Sequence, residues 1–395
     1  MGISSMPILF GNIFLIIAFV LTFFIFLFRG KKLDRLIIIY SLVFLVLFMF
    51  HILAFNQFLY PILIAYYMRI FYGYFTVKIV GPGIDTLIIN QMYVFSIISI
   101  IITGIFALSP TAIDYAYANL CTLADEITYF QPNRKHFIIY TMELGWNVDF
   151  PRNSGPFWEP GGFSVFLYLA FVFNLIKEKS FFNKKNIVFL ITLISTQSTT
   201  GYLAFFIFGI VYVVVNKRIS YSIVLAPILL AAAIFAYTNV DFLGDKIDNM
   251  VQDSQKENRK QIYTRVVSGQ INLERFFSSP IFGIGRFYEI DDDSNPGNNG
   301  TTLLLAEFGL VGFLFYFANM FRSYKNYCIE NKFDPKLPIA IIIGWLVLGY
   351  SQGLFQKPFF YALSFMFLFD GYAKHTMESK ILNFKKKVFP QIAER

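Results

Sequence analysis

Apolar residues run along this chain in long unbroken blocks, without alternation, and short basic clusters separate many of the blocks. A helix advances about 1.5 Å per residue, so about twenty apolar residues match the hydrocarbon thickness of a bilayer. Continuous runs without a period of two predict helices and not a closed β-barrel. The first five predicted spans are Pro7 to Phe28, Leu36 to Ala54, Gln57 to Val80, Leu87 to Leu108 and Gly161 to Leu175. Ile187 to Ser195 and Tyr202 to Val215 then form a thin helical pair around the polar turn Thr196 to Gly201. Tyr221 to Tyr237, Thr301 to Phe321, and a closing hairpin of Leu337 to Ser351 with Phe359 to Tyr372 complete the series. The expected fold is an all-α, polytopic helical membrane protein with about eleven transmembrane helices. It forms a single membrane domain over 1–395, interrupted by two long loops at 109–160 and 241–300. The first block is long enough to span and is followed by others, so it is expected to be retained and not cleaved as a signal.

Composition agrees with this pattern. The chain is 56% hydrophobic and only 15% charged, which excludes an ordinary soluble domain. A net charge of +8 on a soluble protein would point to nucleic acid, but here the basic residues sit mostly between apolar blocks, where they set orientation. Placing Arg29, Lys177, Lys217, Arg322 and the basic tail inside gives about 21 inside cations against about 11 outside. That sense puts the N-terminus and both long loops outside. No nucleic-acid partner is expected; the bilayer is the partner. Cys121 then lies outside and Cys328 inside, so no disulfide joins them, and no cysteine-rich zinc pattern occurs. No internal repeat of the kind seen in many transporters is visible. Arg69 stands within the third block, where a charge is expensive; it either faces the bundle or an aqueous cavity, or snorkels.

Candidate chemistry concentrates in the outside loops. PRNSGPFWEPGGFSVFL, Pro151 to Leu167, gathers Arg152, Trp158, Glu159, Pro160, Gly161 and Gly162 where the chain enters an apolar helix. The second loop carries Arg259, Lys260, Arg265, Arg275 and Arg286, then Glu289 with Asp291, Asp292 and Asp293, then Asn295, Asn298 and Asn299. Ile262, Val266, Gly269, Leu273 and Phe276 recur at helical spacing, predicting an amphipathic helix over Gln261 to Phe277 along the membrane surface, with Arg265 at headgroup depth. The acidic run reads as a solvated loop tip more readily than as a cation site, and no metal or other cofactor is expected. Of three histidines, His51 falls at a span end and His375 in the tail; only His136, beside Arg134 and Lys135, is placed for outside chemistry. Tyr129, Phe130, Trp146, Phe157 and Trp158 are of the type that stacks on sugars, and equally of the type that lines membrane interfaces.

Arg265 through Arg275 to PIFGIG (Pro280 to Gly285), then Asn298 and Asn299, then LLLAEFGLVG (Leu303 to Gly312), resembles the C-terminal half of the O-antigen ligase and polymerase superfamily. RNSGPFWEPGGF is similar to the Arg-x-x-Gly-x-x-x-Glu-Pro segment of Wzy-type polymerases of O-antigen and capsule. Together these cover roughly Arg152 to Gly312. The resemblance implies a GT-C-like ligase/polymerase architecture in the bacterial inner membrane, with an active site facing the periplasm. It implies a glycosyltransferase that joins undecaprenyl-diphosphate-linked repeat units, with chain length set by a regulator protein. The chain departs from the superfamily in two places: Asn298 stands where ligases carry a histidine, and Thr199 or Thr200 where many members carry arginine. Loss of the histidine favours a polymerase over a ligase. A flippase or transporter for the lipid-linked unit would instead line its path with charges inside the spans, where Arg69 is nearly alone.

In that reaction charge builds on a diphosphate leaving group, which fixed guanidinium forks stabilise better than ammonium groups. Arg152 and Arg265 are the expected diphosphate ligands, with Arg286 and Arg275 next and Asn298, Asn299 and Trp158 lining the substrate. Arg286 is followed by ten residues and then Gly297, a spacing similar to an arginine-glycine loop motif of such polymerases. For Glu159 the roles of base, of holder of Arg152 and of helix cap all fit the sequence.

Overall fold

The computed structural model describes residues 12–55, 60–120, 134–137, 139–143, 151–215, 265–286 and 299–368. The helices are α1 (Asn12–Phe28), α2 (Arg35–Phe55), α3 (Tyr60–Val80), α4 (Ile84–Leu108) and the short α5 (Pro110–Tyr115). They continue as α6 (Pro160–Glu178), α7 (Lys184–Thr196), α8 (Thr199–Val215), α9 (Arg265–Ser278), α10 (Gly300–Glu330), α11 (Leu337–Tyr350) and α12 (Pro358–Leu363). By length and composition, α2, α4, α6 and α10 can cross a membrane, and α1, α8 and α11 are shorter apolar helices. The segment Tyr221 to Tyr237, Cys121, and most of the 241–300 loop lie outside the described residues; Cys328 is a free, buried thiol.

The arrangement follows from which faces are apolar. In α6 every residue from Gly162 to Ile176 is buried, so this helix is the axis of the bundle, as one apolar all round must be. Helix α2 is equally apolar but buries one stripe, Ile37, Tyr40, Phe44, Leu47, Phe48 and His51. Its opposite face leaves Ile38, Leu42, Val46, Met49 and Leu53 exposed, a stripe suited to lipid. Around α6 the chain packs α4, α7 and α8, while α11 lies against α8 and α10, and α3 against α1 and α12.

Polar ties fasten one end of this bundle. Lys78 pairs with Asp34 at 2.8 Å, Tyr74 donates to the same carboxylate, and Arg29 donates to the carbonyl of Ile79. Asp85, nearly buried, receives Lys177 at 3.2 Å and the Tyr327 hydroxyl at 2.9 Å. The side chain of Asn183 caps α7 by accepting from the amides of Lys185 and Asn186.

Three features depart from uniform helices. Tyr140–Glu143 pairs antiparallel with Arg134–Phe137, a two-stranded hairpin whose fellow elements among the described residues are helices. Burial over Phe106 pushes the phenol of its Tyr140 up to about 12, against the opposing effect of the bond to Thr103. The described part of the expected last span, Phe359 to Tyr372, is not one long helix but the six-residue α12, opened by Pro358 at its first position and followed by turns as far as residue 368.

The third is a break in α10. Gly309 adopts φ 58°, ψ −167°, a region open essentially to glycine alone. The PIFGIG turn fills the gap. The amides of Ile284 and Gly285 donate to the carbonyls of Ala306 and Glu307, and the amides of Leu310 and Val311 donate to Pro280 and Ile281. Irregular backbone at membrane depth must satisfy its polar groups within the protein, and here another loop supplies the missing partners.

Candidate functional site

At the end of the bundle opposite the Asp34 and Asp85 ties, Pro151 to Glu159 folds back onto the turn between α7 and α8. Asn153 is fully buried; its amide donates to the carbonyl of Ser195, and its side chain to the hydroxyls of Ser99 and Ser195. That anchor sets Arg152 beside the turn, where Nη2 donates to the carbonyl of Gln197 at 3.4 Å. Phe157, a candidate for sugar stacking by type, is fully buried against Phe163 and Phe166 and belongs to the core.

Glu159 occupies the N-cap position of α6, yet its side chain makes no capping bond. Oε1 instead pairs with Arg265 Nη2 at 3.7 Å and accepts from Gln352 Nε2. Gln352 Oε1 in turn accepts from Trp158 Nε1 at 3.3 Å, and Lys357 Nζ lies 3.4 Å from the centroid of that indole. A cation over an indole face is attracted by the ring quadrupole. Half-buried Lys357 has its pKa brought down to about 8 by burial, against the opposing pull of Glu159. The Gly-Gly step after Pro160 makes this close arrangement feasible: a methyl on Gly162 would sit 2.6 Å from Trp158, and one on Gly161 2.8 Å from Gln352 Nε2.

The helix carrying Arg265 packs onto α10. Its buried face is Val267, Ser268, Gly269, Asn272 and Phe276, while Leu273, expected in the apolar stripe, is exposed. Asn272 donates to Thr302, and Asn299 donates to the carbonyl of Arg265 while capping α10 through Thr302 N. Asn299, a candidate substrate ligand, is thus buried and joins α9 to α10. Arg275 stands in the last turn of α9. Asn298, the acidic run, Tyr129, Phe130 and Trp146 lie outside the described residues, and His136 sits in the first strand.

A second charged centre forms at the α10 break. Arg286, immediately after the PIFGIG turn, pairs through Nε with Glu307 Oε1 at 3.1 Å, and Glu307 is fully buried. Gln356 completes the set: its Oε1 accepts from Arg286 Nη2 at 2.7 Å, and its Nε2 donates to both Glu307 oxygens at 2.9 and 2.8 Å. His51 is not an idle residue at a span end. It is buried, and its Nε2 meets the carbonyl of Phe282 at 2.8 Å, holding the turn from the α2 side.

The two centres are Arg265 with Glu159 and Arg286 with Glu307, and the 351–358 connection supplies a glutamine to each, Gln352 and Gln356. In the sequence, Gln352, Gln356 and Lys357 carry no signal beyond the polar SQGLFQKP run between two apolar blocks, and His51 none beyond its place at a span end.

The arrangement defines a multi-pass helical membrane protein whose charged side chains gather on loops and at a helix break. Residues 186–317 match the family model described as O-Antigen ligase, less than half of the chain. The match supports a glycan-transferring enzyme of the O-antigen ligase/polymerase superfamily and does not separate polymerase from ligase. No curated protein and no solved structure matches the chain. The matched stretch holds the whole PIFGIG–α10 interlock with Arg286 and Glu307; Arg152, Glu159, Gln352 and Gln356 fall outside it.

Proposed function

We propose that the chain polymerises lipid-linked glycan repeat units, moving a glycan from one polyprenyl diphosphate onto a sugar hydroxyl of another lipid-linked unit on the periplasmic face of the inner membrane. The observation that carries this reading is the meeting of Arg265 and Glu159, 106 residues apart by their numbers (265 minus 159), at 3.7 Å beside the end of the bundle that carries Arg152. In the proposed step the acceptor hydroxyl attacks the anomeric carbon, the bond from that carbon to the diphosphate oxygen breaks with its electron pair, and polyprenyl diphosphate leaves. The hydroxyl proton passes to a carboxylate or to water. Arg265, oriented by Glu159, and Arg152, fixed through Asn153, stabilise charge on the departing diphosphate. The products of this O-antigen or capsule type of assembly grow by one unit per turn, with their length set by a separate regulator.

The description of the matching family favours a second reading, transfer of a finished glycan to lipid A core or protein. Asn298 in place of the ligase histidine favours the polymerase. Complementation of a polymer-deficient strain tests both. Arg152→Ala and Arg265→Ala are expected to collapse the glycan ladder to single units at normal membrane level of the protein. Full ladders from both variants sink the proposed site, and normal-length glycan left unattached in a null strain makes the chain a ligase.

A further inference from the structure

Helix α3 turns one stripe, Tyr66, Ile70 and Gly73, into the bundle against α12 and the α10 break, and Arg69 lies within that stripe. It is half-buried and within electrostatic reach of Arg286, Glu307, Tyr66 and Tyr361. Glu307, however, is already engaged by Arg286 and by both of its bonds from Gln356. Among the described residues Arg69 makes no hydrogen bond or ion pair, so two guanidinium groups share one carboxylate. Beside them the hydroxyls of Tyr66 and Tyr361, both fully buried, lie against each other, and among the described residues neither meets any further hydrogen-bond partner. A surplus positive charge with unused donors around it, inside a bundle, is a binding site for an anion.

We propose that Arg69 and Arg286 together bind a phosphate or diphosphate oxyanion at the α10 break, as a subsite separate from the one at Arg265 and Glu159. Glu307 and Gln356 set the orientation of Arg286, Arg69 supplies the uncompensated charge, and Tyr66 and Tyr361 donate to the ligand oxygens. This rests on the polymerase reading for its identity as a donor or acceptor site: that reaction brings two lipid-linked diphosphates together, and the Gln352 to Gln356 connection touches both centres.

The test uses the full chain in detergent, with thermal stabilisation read against inorganic pyrophosphate and, separately, a short-chain polyprenyl diphosphate. Arg69→Gln is expected to weaken binding about tenfold or more, and Arg69→Lys to keep part of it. Without ligand, Arg69→Gln is expected to melt no lower than the parent, because it removes an unpaired charge. Equal stabilisation by both probes makes the ligand a free anion; stabilisation by the lipid alone makes it a headgroup. Binding retained within about twofold in Arg69→Gln, or no stabilisation of the parent by either probe, overturns the subsite. If Arg69→Gln loses binding while the parent chain gives no glycan ladder, the subsite stands and the polymerase reading falls.

Discussion

Gly283 and Gly309 lie back to back: a methyl on the first would sit 2.6 Å from the amide nitrogen of the second, and one on the second 2.5 Å from that of the first. Both have positive φ, 75° and 58°. The left-handed conformation and the close approach are therefore one requirement, because the turn can donate into the α10 break only if neither residue carries a Cβ. Alanine at either position strains its own backbone by about 1–3 kcal/mol and also pushes the two chains apart, for a total of about 3 kcal/mol or more. Gly309→Ala and Gly283→Ala should lower the melting midpoint in detergent, and the double variant should cost less than the sum of the two. Single variants that melt with the parent would show that the interlock does not hold the fold.

Most of the described helices are legible because apolar runs of membrane length leave few alternatives, the closing block from Phe359 being the exception, and PIFGIG and AEFGLVG are visible as motifs. That they fit into each other was not visible. Sequence spacing gives no indication that the amides after Gly309 take their acceptors from Pro280 and Ile281. Arg265 and Glu159 are separate candidates in sequence, and only the folded chain, with α9 packed on α10, brings them together. The contributions of Gln352 and Gln356 are hidden because neutral polar residues in a short connection look like any loop, and that of His51 because a lone histidine near the end of an apolar helix shows no partner in sequence. Their importance comes from burial beside charge, which a linear reading does not show.

Glu307, buried without exposure, is the counter-charge of the second centre. Removing one member of a buried pair leaves an uncompensated charge and costs about 3–5 kcal/mol. Glu307→Ala should destabilise most, since it leaves both Arg286 and Arg69 without a carboxylate. Arg286→Met alone should also destabilise, and Arg286→Met combined with Glu307→Leu should recover much of the loss. A double-mutant cycle by thermal melting measures this; strictly additive effects would mean that the 3.1 Å contact contributes no coupling.

Lys357 gives a dependence on pH with a definite sign. Burial holds its folded pKa at about 8, below the ordinary 10.5, so between these values the unfolded chain binds more protons than the folded one. Stability is therefore expected to rise with pH across that window, and the penalty for the buried ammonium is fully present below it. Lys357→Met should remove the rise and melt higher than the parent near neutral pH. Melting curves of both proteins from pH 7 to about 10 decide the matter; an alkaline rise that survives in Lys357→Met must come from another group.

Glu159 has two candidate roles in the proposed reaction, and its contacts favour one of them. A general base needs a free lone pair aimed at the acceptor hydroxyl, whereas this carboxylate already meets Arg265 at 3.7 Å and accepts from Gln352. Loss of a base typically costs about 100- to 10,000-fold in the chemical step with substrate affinity unchanged. Loss of a residue that orients Arg265 weakens the hold on the diphosphate in the ground state and the transition state alike. We therefore expect Glu159→Gln to raise KM for the lipid-linked donor and to leave kcat within about tenfold of the parent. Arg265→Ala should raise KM similarly and lower kcat as well, because it removes the guanidinium that stabilises the departing diphosphate, and the double variant should be little worse than Arg265→Ala alone. The measurement is polymer formation in detergent at varied donor concentration. A collapse of kcat at unchanged KM in Glu159→Gln would make the carboxylate the proton acceptor and leave Arg265 to be oriented by the carbonyl contact of its own helix with Asn299.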